Sequence, residues 1–434
     1  MIVIYIISIL SVIGMLICII KYPKLTIKEH SFDTFYLAPL IGAILLLVIP
    51  LFDKTDLFDV LKSNTSVNPL KILVLFISIS VISISLDTSG FFSYLASRFI
   101  KRYKSSQIKL FISLYFLIAL ITIFTSNDIV ILTFTPFILY LAKKGGINPI
   151  PYLVMEFVSG NTYSILLEIG NPTNIYLSSV YNIDFLEYIK VMIIPTLIIG
   201  ISSILGLLVI FRKDLKKEIE VFELDDSKIN DKVIFISSLS TLIIVIILMA
   251  ISNIINIEMW IITLVFACVL TIIIFIYGLF KKRNYLKFIY IRIPYTLIPF
   301  ILSMFVIVMA LDKTNLFTSL TSILTSNNNE FVTAILYLLS SIAAVNVINN
   351  IPMTLAYSKI LNSSLINVYS VIISSNIGAL LMPEGALAGI MWNSMLRKNE
   401  IKYSFKDFLI NGLKLYIFIL PATILSIFIM TLML

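Results

Sequence analysis

Long apolar runs separated by short polar stretches recur along the whole chain. The clearest runs are Leu37–Leu51, Ile72–Leu86, Val233–Ile251, Ile261–Phe280 and Tyr416–Leu434. An α-helix needs about 20 mainly apolar residues to cross a bilayer. The pattern therefore predicts an all-α polytopic membrane protein. With the topology derived below, it predicts about 11 transmembrane helices plus two re-entrant hairpins in two inverted repeats.

The composition supports a membrane protein. The chain has 434 residues, of which 59% are hydrophobic and 13% are charged, and its mean hydropathy is +1.04. A soluble domain has about a quarter of its residues charged. The net charge of +8 comes from lysines and arginines clustered between apolar runs, which is typical of membrane loops. We therefore expect the lipid bilayer as a partner, no nucleic acid, and a prokaryotic plasma membrane as the location.

Several classes of protein are disfavoured by what the sequence lacks. Met1–Ile20 has no cationic n-region and no small-residue cleavage site, so it is predicted to be a membrane helix rather than a cleaved signal. Cys18 and Cys268 lie in apolar runs, which argues against a disulfide framework or a thiolate metal site. No nucleophile elbow, metal motif or phosphate-binding loop is present. We predict no enzyme activity, no cofactor and no bound metal, and any use of ATP would need a separate subunit.

The basic clusters predict the topology. If all five are cytoplasmic, both termini lie outside, and residues 109–143 and 330–362 must each enter the membrane and return to the same side. These two stretches are the predicted re-entrant hairpins. The loop 53–70, with Lys54 and Lys62, falls outside and weakens the scheme. The five clusters are Lys21–Lys28, Arg98–Lys109, Arg212–Lys232, Lys281–Arg292 and Arg397–Lys406.

Three short matches appear in the same order in each half of the chain and predict an inverted repeat. Residues 86–92 match 311–317, residues 127–129 match 349–351, and residues 159–161 match 374–376. Composition bias in a chain rich in Ile and Asn is the alternative explanation. The predicted divisions are residues 1–52 as N-terminal transmembrane helices, 53–211 as the first repeat, 212–232 as a cytoplasmic linker and 233–434 as the second repeat.

Each predicted repeat contains an apolar segment that is interrupted near its middle, at about 150–180 in the first and about 365–396 in the second. The first interruption is Glu168–Asn174 and the second is Met382–Gly385. Proline removes a backbone donor, and a broken helix is tolerated in a membrane where it lines a polar cavity. A proline kink without function is the alternative for either motif alone.

The tips of the two hairpins carry further polar residues. Helices that begin at such tips present unpaired N–H groups to an oxygen-bearing solute, while released carbonyls suit Na⁺. Carboxyl groups inside the membrane are functional candidates by default and could carry protons or a cation. For Asp128 the alternative is a helix cap. Glu156 is assigned no role, and Asp87 and Asp312 are predicted to cap helices at the interface. The predicted substrate- or ion-binding residues are Ser126, Asn127, Asp128, Glu168, Gly170, Asn171, Thr173, Asn174, Asn349, Asn350, Asn376, Glu384 and Gly385.

At these motifs the chain resembles the ion transporter superfamily, in its arsenite-permease and sodium/proton-antiporter branch, which is similar to citrate transporters. The resembling segments are Ser126–Asp128 with Thr135-Pro136 after it, Ile169–Asn174, Asn349–Pro352, Ser375–Gly378 and Pro383–Gly385. The resemblance implies a secondary transporter with two re-entrant hairpins and two discontinuous helices, often dimeric. It also implies a site at Asn127, Asp128, Asn171, Asn349, Asn350 and Asn376.

The leading hypothesis is secondary active transport coupled to Na⁺ or H⁺, with either arsenite-like metalloid efflux or Na⁺/H⁺ exchange. The substrate would be a small inorganic ion or oxyacid, and an arsenite-type system would add a separate ATPase subunit. Relatives commonly have Thr-Pro or Ser-Pro before Gly-Asn-Pro, whereas this chain has Leu167-Glu168-Ile169. That acid favours cation or proton coupling. The alternatives are a Na⁺-coupled anion or dicarboxylate symporter, a passive channel and an intramembrane enzyme.

Overall fold

A computed structural model describes residues 1–22, 24–27, 30–48, 68–92, 94, 98, 106–217, 228–327 and 329–434. The described part is helical apart from one antiparallel hairpin, in which β1 (Lys24–Ile27) pairs with β2 (His30–Asp33). The predicted all-α polytopic class is confirmed. The outer loop with Lys54 and Lys62 and residues 218–227 of the predicted linker lie outside the described residues.

The helices of the N-terminal half are α1 (Ile2–Lys21), α2 (Leu37–Val48), α3 (Pro69–Thr88), α4 (Gln107–Phe124), α5 (Asn127–Gly145), α6 (Pro149–Tyr163), α7 (Pro172–Val180) and α8 (Phe185–Ile210). Those of the C-terminal half are α9 (Lys232–Ala250), α10 (Ser252–Ile255), α11 (Met259–Lys281), α12 (Tyr285–Tyr290), α13 (Leu297–Asp312), α14 (Leu316–Leu324), α15 (Glu330–Ile348), α16 (Asn350–Ile360), α17 (Leu365–Ile377), α18 (Leu387–Lys398) and α19 (Phe405–Met433). Short 3₁₀ turns cover Glu168–Gly170, Gly378–Leu380 and Pro383–Gly385.

Eight helices in the described residues are long and apolar enough to cross a membrane, and the count rises to nine if α13 and α14, bent by 80°, form one span. Their length and composition make the protein an integral membrane protein. Helices α4 and α15 are among the eight. Each is followed at once by a polar tip and a second helix, α5 or α16, and the re-entrant path of these pairs stays a prediction.

Three helices of the N-terminal half begin with the same Asn-Pro step. Proline occupies the first turn, where its missing N–H costs no hydrogen bond, and the preceding asparagine side chain accepts a backbone N–H two residues on. The distances from the asparagine Oδ1 are 2.9 Å at Asn68, 3.1 Å at Asn148 and 3.2 Å at Asn171. The sequence thus begins a helix at Pro172, in the middle of an apolar stretch.

The two halves pack in a reciprocal way. Helices α4 and α5 pack on α6, and α15 and α16 pack on α17 in the same manner. Each returning hairpin helix also contacts the other half, since α5 packs on α18 and α16 packs on α7. The remaining helices exchange partners too, because α13 packs on α1 and α2 while α3 packs on α9 and α11. This exchange favours pairing α1–α2 with α9–α11 as repeat equivalents. The predicted boundary at residue 53 is not otherwise tested and stays a prediction.

Asp87 and Asp312 lie at equivalent helix ends and form ion pairs with side chains of other elements. Asp87 Oδ2 is 2.6 Å from the Arg292 guanidinium, and Asp312 Oδ2 is 3.2 Å from Lys359 Nζ. Each carboxylate therefore joins two elements of the bundle, which goes beyond the capping role predicted for it.

Candidate functional site

The first broken helix changes direction between Tyr163 and Pro172. Helix α6 ends at Tyr163, a 3₁₀ turn follows at Glu168–Gly170, and α7 begins at Pro172. The chain folds back so closely here that a Cβ at Gly170 would lie 2.3 Å from the carbonyl oxygen of Ser164. Only glycine fits this approach. The break predicted at Glu168–Asn174 is present.

The second broken helix has a longer interruption. Helix α17 ends at Ile377, and two 3₁₀ turns precede α18, which begins at Leu387. A Cβ at Gly389 would lie 1.9 Å from the carbonyl oxygen of Pro383. The tightest approach therefore falls at Gly389, four residues after the predicted Gly385.

The two breaks meet at the side chain of Asn376. Its Oδ1 accepts hydrogen bonds from Ser164 Oγ and Asn171 Nδ2, both at 2.9 Å. Its Nδ2 donates to Asn174 Oδ1 at 2.8 Å. One amide of the second repeat thus satisfies three polar groups of the first, and all four residues are buried.

A second bond crosses the same interface, where the hydroxyls of Thr173 and Ser375 lie 2.9 Å apart. Asn174 holds the first break together, since its Nδ2 donates to the backbone oxygens of Ser164 at 2.8 Å and Leu167 at 3.3 Å. These oxygens have lost their helical partners, and a side-chain donor replaces them. We call Ser164, Asn171, Thr173, Asn174, Ser375 and Asn376 the polar junction.

The tip of the first hairpin lies against the first broken helix. Ser126 Oγ accepts the backbone N–H of Ile129 at 3.4 Å and begins α5. Asn127 Nδ2 donates to Asn161 Oδ1 at 3.3 Å. The Oδ1 of Asn127 is buried and has no hydrogen-bond partner among the described residues. The helix cap is therefore Ser126, and Asp128 is left for another role.

The tip of the second hairpin is held by its own broken helix. Asn349 Nδ2 donates to the backbone oxygen of Glu384 at 2.8 Å. The backbone of Asn349 has φ +74° and ψ +156°, a strained combination that residues other than glycine seldom adopt. Asn350 is buried, and its Oδ1 has no partner among the described residues. Both tips thus carry a buried amide oxygen without a hydrogen-bond partner among the described residues.

Asp128 lines a cavity of about 600 Å³. The side chain is 5% exposed, and within the described part of the chain it makes no hydrogen bond or ion pair. Leu132, one turn further along α5, lines the same cavity. Pro136 has no N–H, so the carbonyl of Leu132 lacks its helical donor. The other lining residues are Asp33, Phe35, Ile291, Arg292, Ile293, Pro294, Tyr295, Thr296, Leu297, Leu387, Ile390, Met391, Ser394 and Met395.

The charged side chains that the structure describes around this cavity are of both signs. Arg292 is the cation among the described lining residues, and its guanidinium is paired with Asp87 at 2.6 Å. Asp33 and Asp128 are the carboxylates of the wall. Because Arg292 is paired with Asp87, the cavity beside Asp128 favours small cations over polyanions. A carboxylate and a released carbonyl are also the oxygen ligands that hard cations prefer.

The predicted acids Glu168 and Glu384 are buried beside the breaks. Neither carboxylate oxygen of Glu168 has a hydrogen-bond partner among the described residues, and the same holds for Oε2 of Glu384. Glu168 is 1% exposed and Glu384 is 6% exposed. No hydrogen bond in the described part joins either carboxyl group to the polar junction.

The structure brings some of the predicted site residues into direct contact and keeps others apart. Asn171, Thr173, Asn174 and Asn376 meet in the polar junction, whereas the two hairpin tips each bond to their own half. Ser164 and Ser375 complete the junction and were missed. Ser375 lies inside the repeat match 374–376, so this match could have identified it as a site residue. No repeat match or motif in the sequence pointed to Ser164.

Comparisons with known proteins agree with this architecture. The model of a family described as citrate transporter matches residues 32–368. The crystal structure of the YdaH transporter of Alcanivorax borkumensis, described as having an unusual topology, aligns with a TM-score of 0.58 over 99% of this chain and 97% of that one, at 12% identity. That likeness shows the fold alone.

Two similar curated proteins are transport proteins by name. An uncharacterized transporter of Methanocaldococcus jannaschii is 31% identical over 196 residues, which is 44% of this chain and 51% of the relative. The arsenical pump membrane protein of Escherichia coli is 27% identical over 155 residues, 35% of this chain and 36% of the relative. The matched segments thus span about half of these relatives or less. Because the citrate transporter family model covers most of the chain, the protein belongs to that family.

Proposed function

We propose that the protein is a secondary active transporter that couples movement of a small oxygen-bearing solute or cation to Na⁺ or H⁺. The observation that carries the proposal is the polar junction, in which two broken helices from opposite halves meet through buried amides and hydroxyls. Sites formed at the interface of inverted repeats by discontinuous helices are a recurrent plan of secondary transporters.

The chemistry of the junction favours a neutral or cationic solute. Its six side chains carry no charge, and they offer hydroxyl and amide groups at hydrogen-bonding distance from one another. A polyanion would need cationic side chains or several bound cations to offset its charge. Arsenite-like metalloid efflux and Na⁺/H⁺ exchange both meet this condition.

The route to the site is the cavity at Asp128. Residues 291–297 and 387–395 contribute to its wall, and they adjoin the basic clusters Lys281–Arg292 and Arg397–Lys406 that the charge rule places in the cytoplasm. The cavity therefore faces the cytoplasm in the proposed orientation, with both termini outside. Asp128 would recruit the coupling cation there, with the released Leu132 carbonyl beside it.

Transport by purified protein in liposomes tests the proposal. ²²Na⁺, arsenite and citrate are supplied separately, with and without an imposed pH gradient, and liposomes without protein give the background. We expect saturable movement of Na⁺ or arsenite that follows the gradient. A conductance that does not saturate would indicate a passive channel and contradict the proposal.

A second candidate is Na⁺-coupled uptake of an anion, which the family description favours. In that case citrate would enter only with a Na⁺ gradient, and arsenite would not move. The same three-solute assay separates the two candidates, since each predicts a different solute and a different driving ion.

A further inference from the structure

Glu156 is a buried acid that the transport site does not use. It lies in the middle of α6 with no exposed surface, and its carboxyl group faces Thr135 of α5. Thr135 Oγ1 is 3.0 Å from Oε1 and 3.1 Å from Oε2 of Glu156. Thr135 is itself fully buried. The pair therefore joins the returning helix of the first hairpin to the first broken helix.

No other titratable group engages this carboxyl. Within the described residues, Thr135 is the only side chain with which Glu156 interacts. The acidic and phenolic side chains on the helices packed against α6 make no bond to Glu156. The Tyr115 hydroxyl donates to the Gly200 carbonyl, and the Tyr188 hydroxyl donates to the Ile165 carbonyl. Tyr369 has no hydrogen-bond partner in the described part, and Asp128 lines the cavity. Tyr140 of α5 is 40% exposed, and the other charged side chains that the structure describes on these helices are also exposed: Lys109, Lys143, Glu187 and Lys190.

The geometry suits a protonated acid. The Thr135 hydroxyl has one proton to donate, and the Thr135 backbone N–H is the other donor to this carboxyl. Burying a carboxylate without a cation is still strongly unfavourable. A neutral acid instead donates its own proton to the threonine oxygen, and the two groups then satisfy each other.

A polar row leads from this pair to the cavity. Asp128, Leu132 and Thr135 are spaced i, i+4 and i+7 on α5 and so lie on one face of the helix. Asp128 and Leu132 line the cavity, and the Leu132 carbonyl is released by Pro136. Thr135 lies about 10 Å along the axis from Asp128 at 1.5 Å per residue.

From this arrangement we infer that Glu156 is a proton-binding residue of the transport cycle, separate from the polar junction, and that it exchanges its proton with the cytoplasm-facing cavity through Thr135. The inference rests on the proposed transport function and supplies its coupling proton. The Thr135 hydroxyl accepts the proton of Glu156 and gives its own proton to water of the cavity, where Asp128 can receive it. The return reverses these transfers, so nothing is oxidised or reduced.

Infrared spectroscopy tests proton binding without any transported solute. A protonated carboxyl gives a C=O band that shifts when water is replaced by D₂O. We expect wild-type protein at neutral pH to show a band that Glu156→Gln lacks, and we expect its D₂O shift to be slowed at least about tenfold in Thr135→Val and restored in Thr135→Ser. A spectrum that Glu156→Gln leaves unchanged would overturn the inference, because Glu156 would then be ionised.

Transport measurements test the role in coupling. For a single titrating proton the rate changes by up to about tenfold per pH unit. We expect Glu156→Gln to abolish the response to a pH gradient while solute exchange at equal pH on both sides stays within about twofold of wild type. Glu400→Gln, at an exposed position, is the matched control. A lower rate with an unchanged pH profile would mark Glu156 as a packing residue and refute the coupling role.

The two tests fail in different ways. If wild-type protein moves none of the three solutes, the proposed function is wrong, and with it the coupling role of Glu156. A band that is lost in Glu156→Gln would then still identify the proton-binding residue. If transport occurs but follows pH equally in wild type and Glu156→Gln, the proposed function stands and the inference is wrong.

Discussion

The two hairpins are built alike but face different surroundings. The first returns through α5, where Asp128 and Leu132 line a cavity of about 600 Å³. The second returns through α16, which packs along α13 and α7. The C-terminal end of α16 is held by Tyr181, whose hydroxyl donates to the carbonyl oxygens of Ser358 at 3.3 Å and Leu361 at 3.4 Å. One hairpin borders open space where the other meets packed side chains.

Under the proposed function, this difference between the hairpins bears on alternating access. Transporters built from two inverted copies open toward one side of the membrane and then toward the other. The copies also differ chemically, because the position after the tip asparagine is Asp128 in the first and Asn350 in the second. Only the cavity side therefore carries a carboxylate at its tip. Asp128 thus borders the open cavity, whereas Asn350 lies against packed side chains.

The largest expected effect comes from removing the amide that joins the halves. Asn376→Ala deletes one acceptor of two hydrogen bonds and one donor to Asn174. Leaving buried polar groups without partners costs about 1–3 kcal/mol each, which corresponds to a loss of transport rate of about thirtyfold or more if two are left. Initial rates in liposomes, normalised to protein content, measure the loss.

The matched control is Asn399→Ala, which removes an exposed asparagine whose side chain bonds within its own helix end. We expect it to transport within about twofold of wild type. If Asn376→Ala transported as well as Asn399→Ala, the polar junction would not be the site.

The next effect tests the backbone of the first break. A Cβ at Gly170 would lie 2.3 Å from the carbonyl oxygen of Ser164, whereas at Gly160 the nearest atom is 3.9 Å away. We expect Gly170→Ala to destabilise the fold by about 3 kcal/mol or more, since the backbone must shift, and Gly160→Ala to change it by less than about 1 kcal/mol. Thermal unfolding in detergent compares them. Equal melting temperatures would show that the break is not tightly packed.

Much of the site could be predicted because proline, glycine and asparagine in the middle of an apolar helix are typical of a broken helix that lines a polar site. The residues 168–174 stand out for this reason. The bond from Ser164 to Asn376 could not be predicted, because it depends on how two breaks 212 positions apart in the chain align in space. The cavity was equally hidden, since its wall combines Asp33, Asp128 and the segment 291–297.

The acids show where sequence reasoning reaches its limit. Glu156 and Glu168 are both acids in apolar stretches, and only Glu168 lay beside a break and was predicted to bind an ion. The structure gives Glu156 a partner in Thr135, 21 residues away, and gives Glu168 none among the described residues. Which acid meets a hydroxyl is decided by helix rotation and neighbour position, and neither is encoded locally.

A moderate effect is expected where the two tips differ. Asp128→Asn makes the first tip resemble the second and removes the carboxylate from the cavity wall. We expect the apparent affinity for the coupling cation to fall about tenfold, because an ion pair with a partly desolvated carboxylate contributes about 1–2 kcal/mol. Transport rates over a range of Na⁺ concentrations and pH values measure this.

Asn350→Asp is the reciprocal change and places a carboxylate at the closed tip. The position is 3% exposed, so the new acid will stay protonated near neutral pH or will slow the cycle when ionised. We therefore expect the double variant Asp128→Asn, Asn350→Asp to bind the coupling cation from the cavity side no more tightly than Asp128→Asn alone. Full recovery would show that the tips are interchangeable and that the asymmetry has no functional role.

The smallest effect concerns the tyrosine seal of the closed hairpin. Tyr181→Phe removes two long hydrogen bonds and keeps the ring, so the loss is about 0.5–1.5 kcal/mol. The closed side should then open about 2–10 times more often. Labelling of Ser358→Cys by a membrane-impermeant maleimide reports this opening, in a background where Cys18 and Cys268 are replaced by alanine. The hydrogen bond from Tyr181 to the backbone oxygen of residue 358 is kept in that background.

Tyr140→Phe is the control, because Tyr140 lies on the exposed side of α5, and it should leave the labelling rate unchanged. If Tyr181→Phe also left it unchanged, the tyrosine would not hold the outer side closed, and the packing of α16 on α13 would have to do so alone.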